Sequence, residues 1–395
     1  MKPRTKLLFL CIALSTSAAV VQITFAEANP EVSVTPSTAP VAFVYVSSTP
    51  RGANNVVNAF TAAANGKLTA VPGSPFHDNV TSMVVNGKYL FGSNKAGIYV
   101  PAFAIQPNGS LKWTVSTDVD RASGCQFPVP LVLDHTGANV YRASTSGSLC
   151  DHTTYQSFSV EKPTGRLTFL GSGTSTFLFN TPLTFIANNT FAYGSDCVNF
   201  QGNFTDTFTT LHRQSNGLLL NVNASAPTPK TKNAGDFYCR SITAADPTNH
   251  LAVSVQAIDP STSSAVGSPQ LATYTADGSS GNLTTTSTFA NMPSTAVQFV
   301  LGMAMSPSGK LLAVGGTGGL QIFHYNGASP ITHDTGLLTS NQIDQMFWDN
   351  ANHLYAISST AGKLYVFTIT STSATQAAGS PYTISHPKNI IVQPK

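Results

Sequence analysis

Residues 303–314 read MAMSPSGKLLAV, two short apolar segments joined by a Ser-Gly-Lys turn. Apolar segments on both sides of a glycine turn are typical of an antiparallel β-hairpin. The arrangement recurs along the chain at a spacing of about 50 residues, which indicates a repeat architecture. The other copies are Asn86-Gly87 before Tyr89, Thr136-Gly137 before Val140, Asn188-Asn189 before Phe191, Asn249-His250 before Leu251, and Asn352-His353 before Leu354.

A second feature lies downstream of each turn, one bulky side chain flanked by small or polar residues. Its copies are Phe60, Phe103, Phe158, Leu211, Tyr274, Phe323 and Phe367. A further glycine turn follows the first five copies, at Gly66, Gly109, Gly165, Gly217 and Gly281. Four strands with three connections fit a repeat of about 50 residues. Residues 42–395 are therefore predicted to form a seven-bladed β-propeller of four-stranded antiparallel blades.

Composition agrees with an all-β fold and excludes other classes. The 395 residues are 42% hydrophobic but only 9% charged, with a formal charge of +3. Disordered chains, nucleic-acid binders and helical bundles all need more charge than this, so no nucleic-acid partner is expected. Tandem immunoglobulin-like domains are the competing architecture. They need about 100 residues per unit and a Cys-Trp-Cys pattern, which the sequence does not provide.

The two ends of the repeat region predict how the ring closes. Residues 389–394 resemble the innermost strand of the other repeats, such as residues 303–307, but the chain ends directly after them. The first repeat begins with its second strand, Phe43–Val46. The C-terminal strand is therefore expected to complete blade one beside the N-terminal strand, which removes an exposed sheet edge.

The first residues predict export. Three cations, Lys2, Arg4 and Lys6, precede an apolar run, and small residues typical of a signal-peptide cleavage site follow near Ala26. This pattern is typical of a secretory signal peptide over residues 1–26. An uncleaved anchor is the alternative. Cleavage would remove three cations and leave a formally neutral chain without a membrane span, secreted or periplasmic and monomeric. Residues 27–41, rich in Pro, Ser and Thr, are then a linker.

Four cysteines remain after the leader, and disulfides persist in an exported protein. Cys-x-x-Cys spacing is absent and no His lies within a few residues of two cysteines, so no metal site is predicted. The expected pairs are Cys125 with Cys150 and Cys197 with Cys239, each connecting loops on one face of the ring. These disulfides either only stabilise the fold or also shape a site, and the sequence favours neither role.

Several sequence motifs of the repeat resemble those of a known family. Asn58-Ala59-Phe60, Asn65-Gly66-Lys67-Leu68-Thr69 and Pro72-Gly73-Ser74-Pro75-Phe76 resemble the lactonase-type seven-bladed propellers, and Gly379-Ser380-Pro381-Tyr382 repeats the last phrase. This family includes 6-phosphogluconolactonase-like proteins and a muconate-lactonising enzyme. The resemblance implies a seven-bladed propeller that acts on a lactone without a redox cofactor. A shared fold does not by itself establish this activity, because one fold hosts many functions.

Candidate site residues lie in the loops expected on one face of the ring. Opening a lactone requires a base that activates water and donors that hold the oxyanion. His77, Asp78, Arg240, Asp344 and His386 are the candidate catalytic residues, and Asp120 lies in the same group of loops. Arg121, Arg142 and Lys388 are candidate ligand-binding residues. The alternative for each of these residues is a side chain that is only solvated at the rim of the ring or forms a hydrogen bond within its loop.

Arg142 differs from the rest because it occupies a strand position where other repeats have Val or Gly. A buried charge needs a partner, and Asp151, Asp196 or a bound anion could supply it. Asp134, Asp246 and Asp349 end inner strands on the opposite face and are expected only to close turns. The run of glycines at 315–319 lacks a following helix and Lys, which excludes a phosphate-binding loop.

Two functions follow from the sequence. The first is a secreted lactonase-like propeller that hydrolyses or binds a small sugar-derived or aromatic lactone at the channel mouth. The second is a non-catalytic surface or periplasmic propeller that binds a glycan or a protein. The neutral chain with loops rich in Ser, Thr and Asn agrees with the second function, and the family resemblance favours the first.

Overall fold

The computed structural model describes residues 39–50, 54–94, 98–119, 130–146, 152–176, 183–198 and 203–395. Within these ranges the regular secondary structure is β-strand, and none of them contains a helix able to cross a membrane. The predicted signal peptide and most of the predicted linker lie outside the described residues. The same is true of Asp120, Arg121, Cys125, Cys150 and Asp151.

The described strands form seven antiparallel sheets, which confirms the predicted all-β propeller of seven blades. Blades are numbered along the chain, and each runs from its innermost to its outermost strand. Blade 1 contains β1 (Ala42–Ser48), β2 (Val56–Ala62) and β3 (Leu68–Ala70); blade 2 contains β4 (Val80–Val85), β5 (Tyr89–Asn94), β6 (Tyr99–Ile105) and β7 (Leu111–Asp118); blade 3 contains β8 (Leu131–Leu133), β9 (Asn139–Ser146), β10 (His152–Val160) and β11 (Leu167–Thr176); blade 4 contains β12 (Thr184–Phe185), β13 (Phe191–Val198), β14 (Phe204–Arg213) and β15 (Leu219–Val222).

The remaining strands complete the ring. Blade 5 contains β16 (Phe237–Ala245), β17 (His250–Asp259), β18 (Ser264–Ala276) and β19 (Leu283–Thr284); blade 6 contains β20 (Val300–Met305), β21 (Leu311–Gly316), β22 (Gly319–Asn326) and β23 (Ser329–His333); blade 7 contains β24 (Gln345–Trp348), β25 (His353–Ser358), β26 (Lys363–Ile369) and β27 (Ala374–Gln376), with β28 (Tyr382–Thr383) also paired to β26; β29 is Pro387–Pro394.

The C-terminal strand closes the ring as predicted. β29 is the innermost strand of blade 1 and pairs antiparallel with β1, from Ala42 opposite Pro394 to Ser48 opposite Pro387. It also contacts β4 of blade 2 and β24 of blade 7. Blade 1 is therefore assembled from both ends of the repeat region, so β1 does not present an open edge on its inner side.

The second strand of several blades is buried along its whole length. Every residue of β1, β21 and β25 is buried. A strand that is covered on both faces carries apolar or small residues at successive positions, without polar alternation. This packing of each blade between two others explains why the repeated apolar runs, such as residues 311–314, are continuous.

Tyrosines connect blades 1 to 4 with the blade that follows, a contact that the repeat pattern does not reveal. Each hydroxyl lies within hydrogen-bond distance of a backbone carbonyl in the second glycine turn of the next blade. A buried hydroxyl needs such a partner, so these bonds fix the relative position of two blades. The pairs are Tyr45 with Gly109 (2.9 Å), Tyr89 with Pro163 (2.8 Å), Tyr141 with Gly217 (2.9 Å) and Tyr193 with Gly281 (3.0 Å).

We use upper face for the end of the ring where second strands lead to third strands and outer strands lead to the next blade. Three aspartates at the opposite, lower face close turns as predicted. Asp134, Asp246 and Asp349 each accept backbone N–H bonds from the turn that follows them. Asp134 additionally forms an ion pair with Arg213 of blade 4 at 2.9 Å.

Acid is expected to destabilise the fold through Asp349. Its burial raises the carboxyl pKa, but bonds from the side chain and amide of His353 and from Tyr355 outweigh this, so the pKa lies below its ordinary 3.8. A depressed folded pKa stabilises the fold above the unfolded pKa, and this stabilisation is lost as pH falls. We expect the free energy of unfolding, measured with urea, to fall on acidification from pH 6 to pH 3.

Substitution separates this effect from general acid denaturation. Asp349→Asn is expected to lower stability at pH 6 by about 1–3 kcal/mol, because buried hydrogen bonds are lost, and to flatten the pH dependence. Asp118→Asn, at an exposed aspartate, is the matched control and should leave both quantities unchanged. An equal slope in Asp349→Asn and wild type would contradict the role of Asp349.

Candidate functional site

A cleft of about 700 Å³ opens on the upper face at blade 1. Its floor comes from residues 48–50 and 54–58 at the upper ends of β1 and β2, and its two sides come from the connection between β3 and β4 and from the residues that precede β29. We call this feature the blade-1 cleft. It is lined by Ser48, Pro50, Asn54, Val56, Asn58, Pro75, His77 and Ser385.

Side-chain hydrogen bonds shape the floor of the blade-1 cleft. Asn58 Nδ2 donates to Ser48 Oγ at 2.8 Å and to the carbonyl of Val46 at 3.2 Å. Ser48 is buried, and its hydroxyl accepts this bond. Among the described residues no acceptor takes the hydroxyl proton of Ser48, so this proton is available to a bound molecule. Thr49 Oγ1 donates to Asn55 Oδ1 at 2.6 Å, which holds the two arms of the hairpin together.

The wall that carries His77 is fixed by backbone pairing with blade 1. Val57 and Phe76 exchange two N–H to carbonyl bonds, at 2.8 and 2.9 Å. The Ser74 hydroxyl accepts a bond from the amide of Ala59 at 2.9 Å. Phe76 packs against the core, and the next residue, His77, is exposed and lines the cleft.

Asp78 follows His77 and is half-buried. Burial raises the pKa of the Asp78 carboxyl, while the neighbouring His77 lowers it by charge attraction, and the net shift is upward. A carboxyl group beside an imidazole orients and polarises it when ionised. His77 is thus an accessible base at one wall of the blade-1 cleft, and Asp78 is its acidic neighbour along the chain.

Two more of the predicted residues belong to the segment that contributes Ser385 to the cleft. His386 directly follows the lining residue Ser385, has a left-handed backbone with φ 47°, and accepts a bond from the amide of Thr49 at 3.2 Å through its carbonyl. Lys388 is exposed and lies at the register shift of β29 opposite Ser47 and Ser48. The fold therefore places His77, Asp78, His386 and Lys388 in the two segments beside one hairpin.

The other predicted catalytic residues lie in other blades. Arg240, in blade 5, is buried and makes a two-pronged ion pair with Asp206 of blade 4, with Nε to Oδ1 at 3.0 Å and Nη2 to Oδ2 at 2.9 Å. Its Nη1 donates to the carbonyl of Ala226, and its guanidinium lies 4.5 Å from the centre of the Phe208 ring. The catalytic role of Arg240 stays a prediction.

Asp344, before β24, accepts bonds from the amide of Ser359 and from the side chain of Gln342, both at 2.6 Å. Arg142 is buried in β9, and its Nη1 donates to Gln156 Oε1 at 2.6 Å, directly across the strand pair. Asp344 and Arg142 therefore have described partners in their own surroundings, and neither lines the blade-1 cleft.

The predicted disulfide between Cys197 and Cys239 is present, with Cα atoms 5.0 Å apart. It connects β13 of blade 4 with β16 of blade 5 near the upper face. Closing a chain segment of 42 residues stabilises a fold by about 4 kcal/mol in the chain-entropy estimate. The other predicted pair lies outside the described residues.

The polar residues that line the cleft were not identifiable from the sequence pattern. Ser48, Asn54, Asn58 and Ser385 resemble the many other Ser and Asn residues of the loops, and no spacing distinguishes them. Asp206 carries a weak signal, because it is a lone acid within a Thr-rich strand. In the described residues, no group of three His, Cys, Asp or Glu side chains is arranged to hold a metal ion.

Structural comparison places the chain among propellers of known structure. A periplasmic gluconolactonase of Pseudomonas aeruginosa superposes with a TM-score of 0.61 at 12% identity, over 89% of this chain and 99% of that one. Proteins described as putative 6-phosphogluconolactonases of Bacteroides fragilis (TM-score 0.57, 14% identity, 90% and 99% covered) and Bacteroides uniformis (0.58, 12%, 89% and 99%) are also similar.

These similarities show the fold. No protein-family model matches the sequence, and no curated protein sequence matches it either. At identities of 12–14%, the shared blades do not transfer an activity. The function has to be inferred from the site itself.

Proposed function

We propose that this protein is an exported lactone hydrolase that acts at the blade-1 cleft. The observation that carries the proposal is the exposed imidazole of His77 on a cleft of about 700 Å³, next to Asp78 and opposite the segment with His386 and Lys388. The gluconolactonase of similar fold supports a lactone as substrate. The Cys197–Cys239 bridge supports the predicted export, because disulfides persist in oxidising compartments.

In the proposed reaction His77 acts as general base. The imidazole takes a proton from water, and the oxygen of that water adds to the lactone carbonyl carbon. The Ser48 hydroxyl and the Asn54 amide donate to the oxyanion that forms. The ring C–O bond then breaks, and the leaving alkoxide takes the proton back from His77. The product is an open-chain hydroxy acid, and no cofactor takes part.

The lining favours a small, neutral, polyhydroxylated lactone. Hydroxyl and amide groups of Ser48, Asn54, Asn58 and Ser385 match the hydroxyl groups of a sugar-derived ring. His77 is the one ionisable residue among the described lining residues, whereas a phosphorylated substrate is best held by Arg forks or helix N-termini. An aromatic lactone would leave most of these polar groups unsatisfied.

Hydrolysis of glucono-δ-lactone tests the proposal. With purified protein at slightly acidic pH, where the spontaneous reaction is slow, we expect acid release above background in a pH-stat assay. His77→Gln should lower kcat/KM by about 100-fold to 10,000-fold, because the general base is lost. His135→Gln, at an exposed histidine on the lower turn of blade 3, is the matched control and should retain full activity.

The aromatic alternative is tested in the same assay with dihydrocoumarin. Turnover of dihydrocoumarin but not of glucono-δ-lactone would revise the substrate class. Absence of turnover with both compounds would contradict the hydrolase and favour a binding protein. Turnover that survives in His77→Gln would remove His77 from the mechanism.

One observation favours the binding role. Trp113 and Phe169 are 60% and 54% exposed on the outermost strands of the neighbouring blades 2 and 3. Each lies opposite the bulky residue of the adjacent third strand, Phe103 or Phe158. Exposed aromatic rings of this kind are common where proteins bind glycans or other proteins. The second candidate function is therefore binding of a surface glycan or protein. Absence of lactone turnover would favour this function.

A further inference from the structure

A second pocket, of about 360 Å³, opens on the upper face between blades 4, 5 and 6. We call it the blade-5 pocket. None of its lining residues belongs to the blade-1 cleft, and none of those described is charged. Pockets of this size hold a single ring with a few substituents. The lining residues used below are Phe204, Ser241, Ser254, Gln256, Gln298 and Phe299.

The polar side of the blade-5 pocket offers a donor and an acceptor. Ser241 Oγ and Ser254 Oγ lie 2.6 Å apart, and Ser254 Oγ also accepts the amide proton of Ile242 at 3.0 Å. Two hydroxyls carry two protons, and the bond between them uses one. Within the described part of the chain no other acceptor takes the second proton, so it is left for a ligand. The two N–H groups of Gln256 Nε2 donate to the carbonyls of Ala257, Val266 and Gly267, with one proton shared, so Gln256 Oε1 is the acceptor offered to a ligand.

The apolar side is aromatic and partly open to solvent. Phe299 is 53% exposed although it lines the pocket, and Phe204 is half-buried beside the Cys197–Cys239 bridge. A ring placed against Phe299 would remove this apolar surface from water. Stacked or edge-to-face ring pairs add to that gain. A neutral aromatic ring fits this wall better than an aliphatic or charged group.

The position of Phe299 is fixed by the glycine run at 315–319. Gln298 has a left-handed backbone with φ 61°, which is costly for a residue with a side chain. The hairpin holds this conformation through bonds from Thr317 N to the Phe299 carbonyl (3.0 Å) and from Gly318 N to the Val297 carbonyl (2.8 Å).

These glycines leave room for the strained segment. A Cβ on Gly316 would lie 2.3 Å from the Phe299 carbonyl oxygen and 2.6 Å from that of Val297. Both atoms belong to the backbone, so the segment would have to shift. The glycine run, which lacks the features of a phosphate-binding loop, therefore shapes one wall of the blade-5 pocket.

We propose that the blade-5 pocket binds a small neutral aromatic compound with one hydroxyl group, that is, a phenol. The ring lies between Phe204 and Phe299, and the hydroxyl accepts a bond from the Ser241 and Ser254 pair and donates to Gln256 Oε1. This site is independent of the lactone hydrolysis proposed at the blade-1 cleft. Its occupancy does not require turnover there.

Titration of the full chain with 4-fluorophenol, followed by ¹⁹F NMR, tests the site. We expect saturable binding. Fluorobenzene, without the hydroxyl, should bind about threefold to tenfold more weakly, because hydrogen bonds are lost. The anion 4-fluorobenzoate should bind at least about tenfold more weakly, because no cation lines the described wall to offset its desolvation.

Variants assign the binding to this pocket. Phe299→Ala and Ser241→Ala should each weaken 4-fluorophenol binding by about threefold to tenfold. Gly316→Ala should weaken it as well, whereas Gly336→Ala, where a Cβ meets nothing within 4 Å, is the matched control and should keep full affinity. His77→Gln should also keep full affinity, which separates this site from the blade-1 cleft.

Two results would overturn the proposal. One is equal affinity for 4-fluorophenol, fluorobenzene and 4-fluorobenzoate. The other is unchanged 4-fluorophenol binding in both Phe299→Ala and Ser241→Ala, which both line the pocket. Each variant is first shown by thermal melting to unfold cooperatively, and Ser241→Ala supplies the test if Gly316→Ala does not fold.

Discussion

Deletion of residues 389–395 is expected to abolish cooperative folding. Ile390, Ile391 and Val392 are buried in β29, and burial of such side chains stabilises a fold by about 1.5–3 kcal/mol each. Their loss removes roughly 5–9 kcal/mol, which is comparable with the whole stability of a typical domain, about 5–15 kcal/mol. Thermal unfolding followed by circular dichroism is the measurement.

Single substitutions in the same strand measure how much individual side chains contribute to this stability. Ile390→Ala should lower the free energy of unfolding by about 2–5 kcal/mol, since its side chain is fully buried. Gln393→Ala is the control on the same strand, and we expect a change within about 1 kcal/mol, because its side-chain amide donates to the carbonyl of the neighbouring Pro394 and is not part of the buried core. A truncated protein that melts within a few degrees of the full chain would show that the ring is not closed by β29.

Arg240→Met is expected to lower the free energy of unfolding, measured with urea, by about 3–5 kcal/mol. Asp206, the partner of Arg240, has a side chain only 18% exposed, and the substitution leaves its charge without a counterion. The double variant Arg240→Met/Asp206→Leu should recover most of this loss, because both charges are then removed together.

Arg166→Met, at an exposed arginine in a turn of blade 3, is the matched control, with an expected change within about 0.5 kcal/mol. If the double variant were no more stable than Arg240→Met, the pair would not be the cause of the loss. The same variants bear on chemistry. Turnover retained by the folded double variant would assign Arg240 a structural role, in place of the catalytic role predicted from the sequence.

The repeat pattern predicted the architecture because its causes are local. A glycine turn such as Gly309, with φ 67°, needs a conformation that few other residues adopt, and the continuous apolar run after it needs two covering blades. Six copies of this turn and apolar run, together with seven copies of the bulky residue downstream, are enough to count the blades. The contact of Tyr45 with Gly109 was not predictable, since it joins residues 64 positions apart through one hydroxyl.

The site was predictable only in part. His77 and His386 are conspicuous in a chain with 9% charged residues, so the sequence indicated them as candidates. The hydroxyl and amide groups around them carry no such signal. Ser48 and Ser385 are separated by more than 300 positions, and only the closing strand brings their segments to one cleft.

The sequence by itself determined the number of blades, the pairing of the C-terminal strand with the first blade, and the bridge between Cys197 and Cys239. All three depend on turn chemistry, apolar runs and the place of each cysteine within its repeat. The tertiary structure decided which polar groups meet. Arg240 pairs with Asp206 and His77 lines one cleft because packing between distant segments sets the partners of a polar side chain. Such contacts produce no periodic pattern in the sequence.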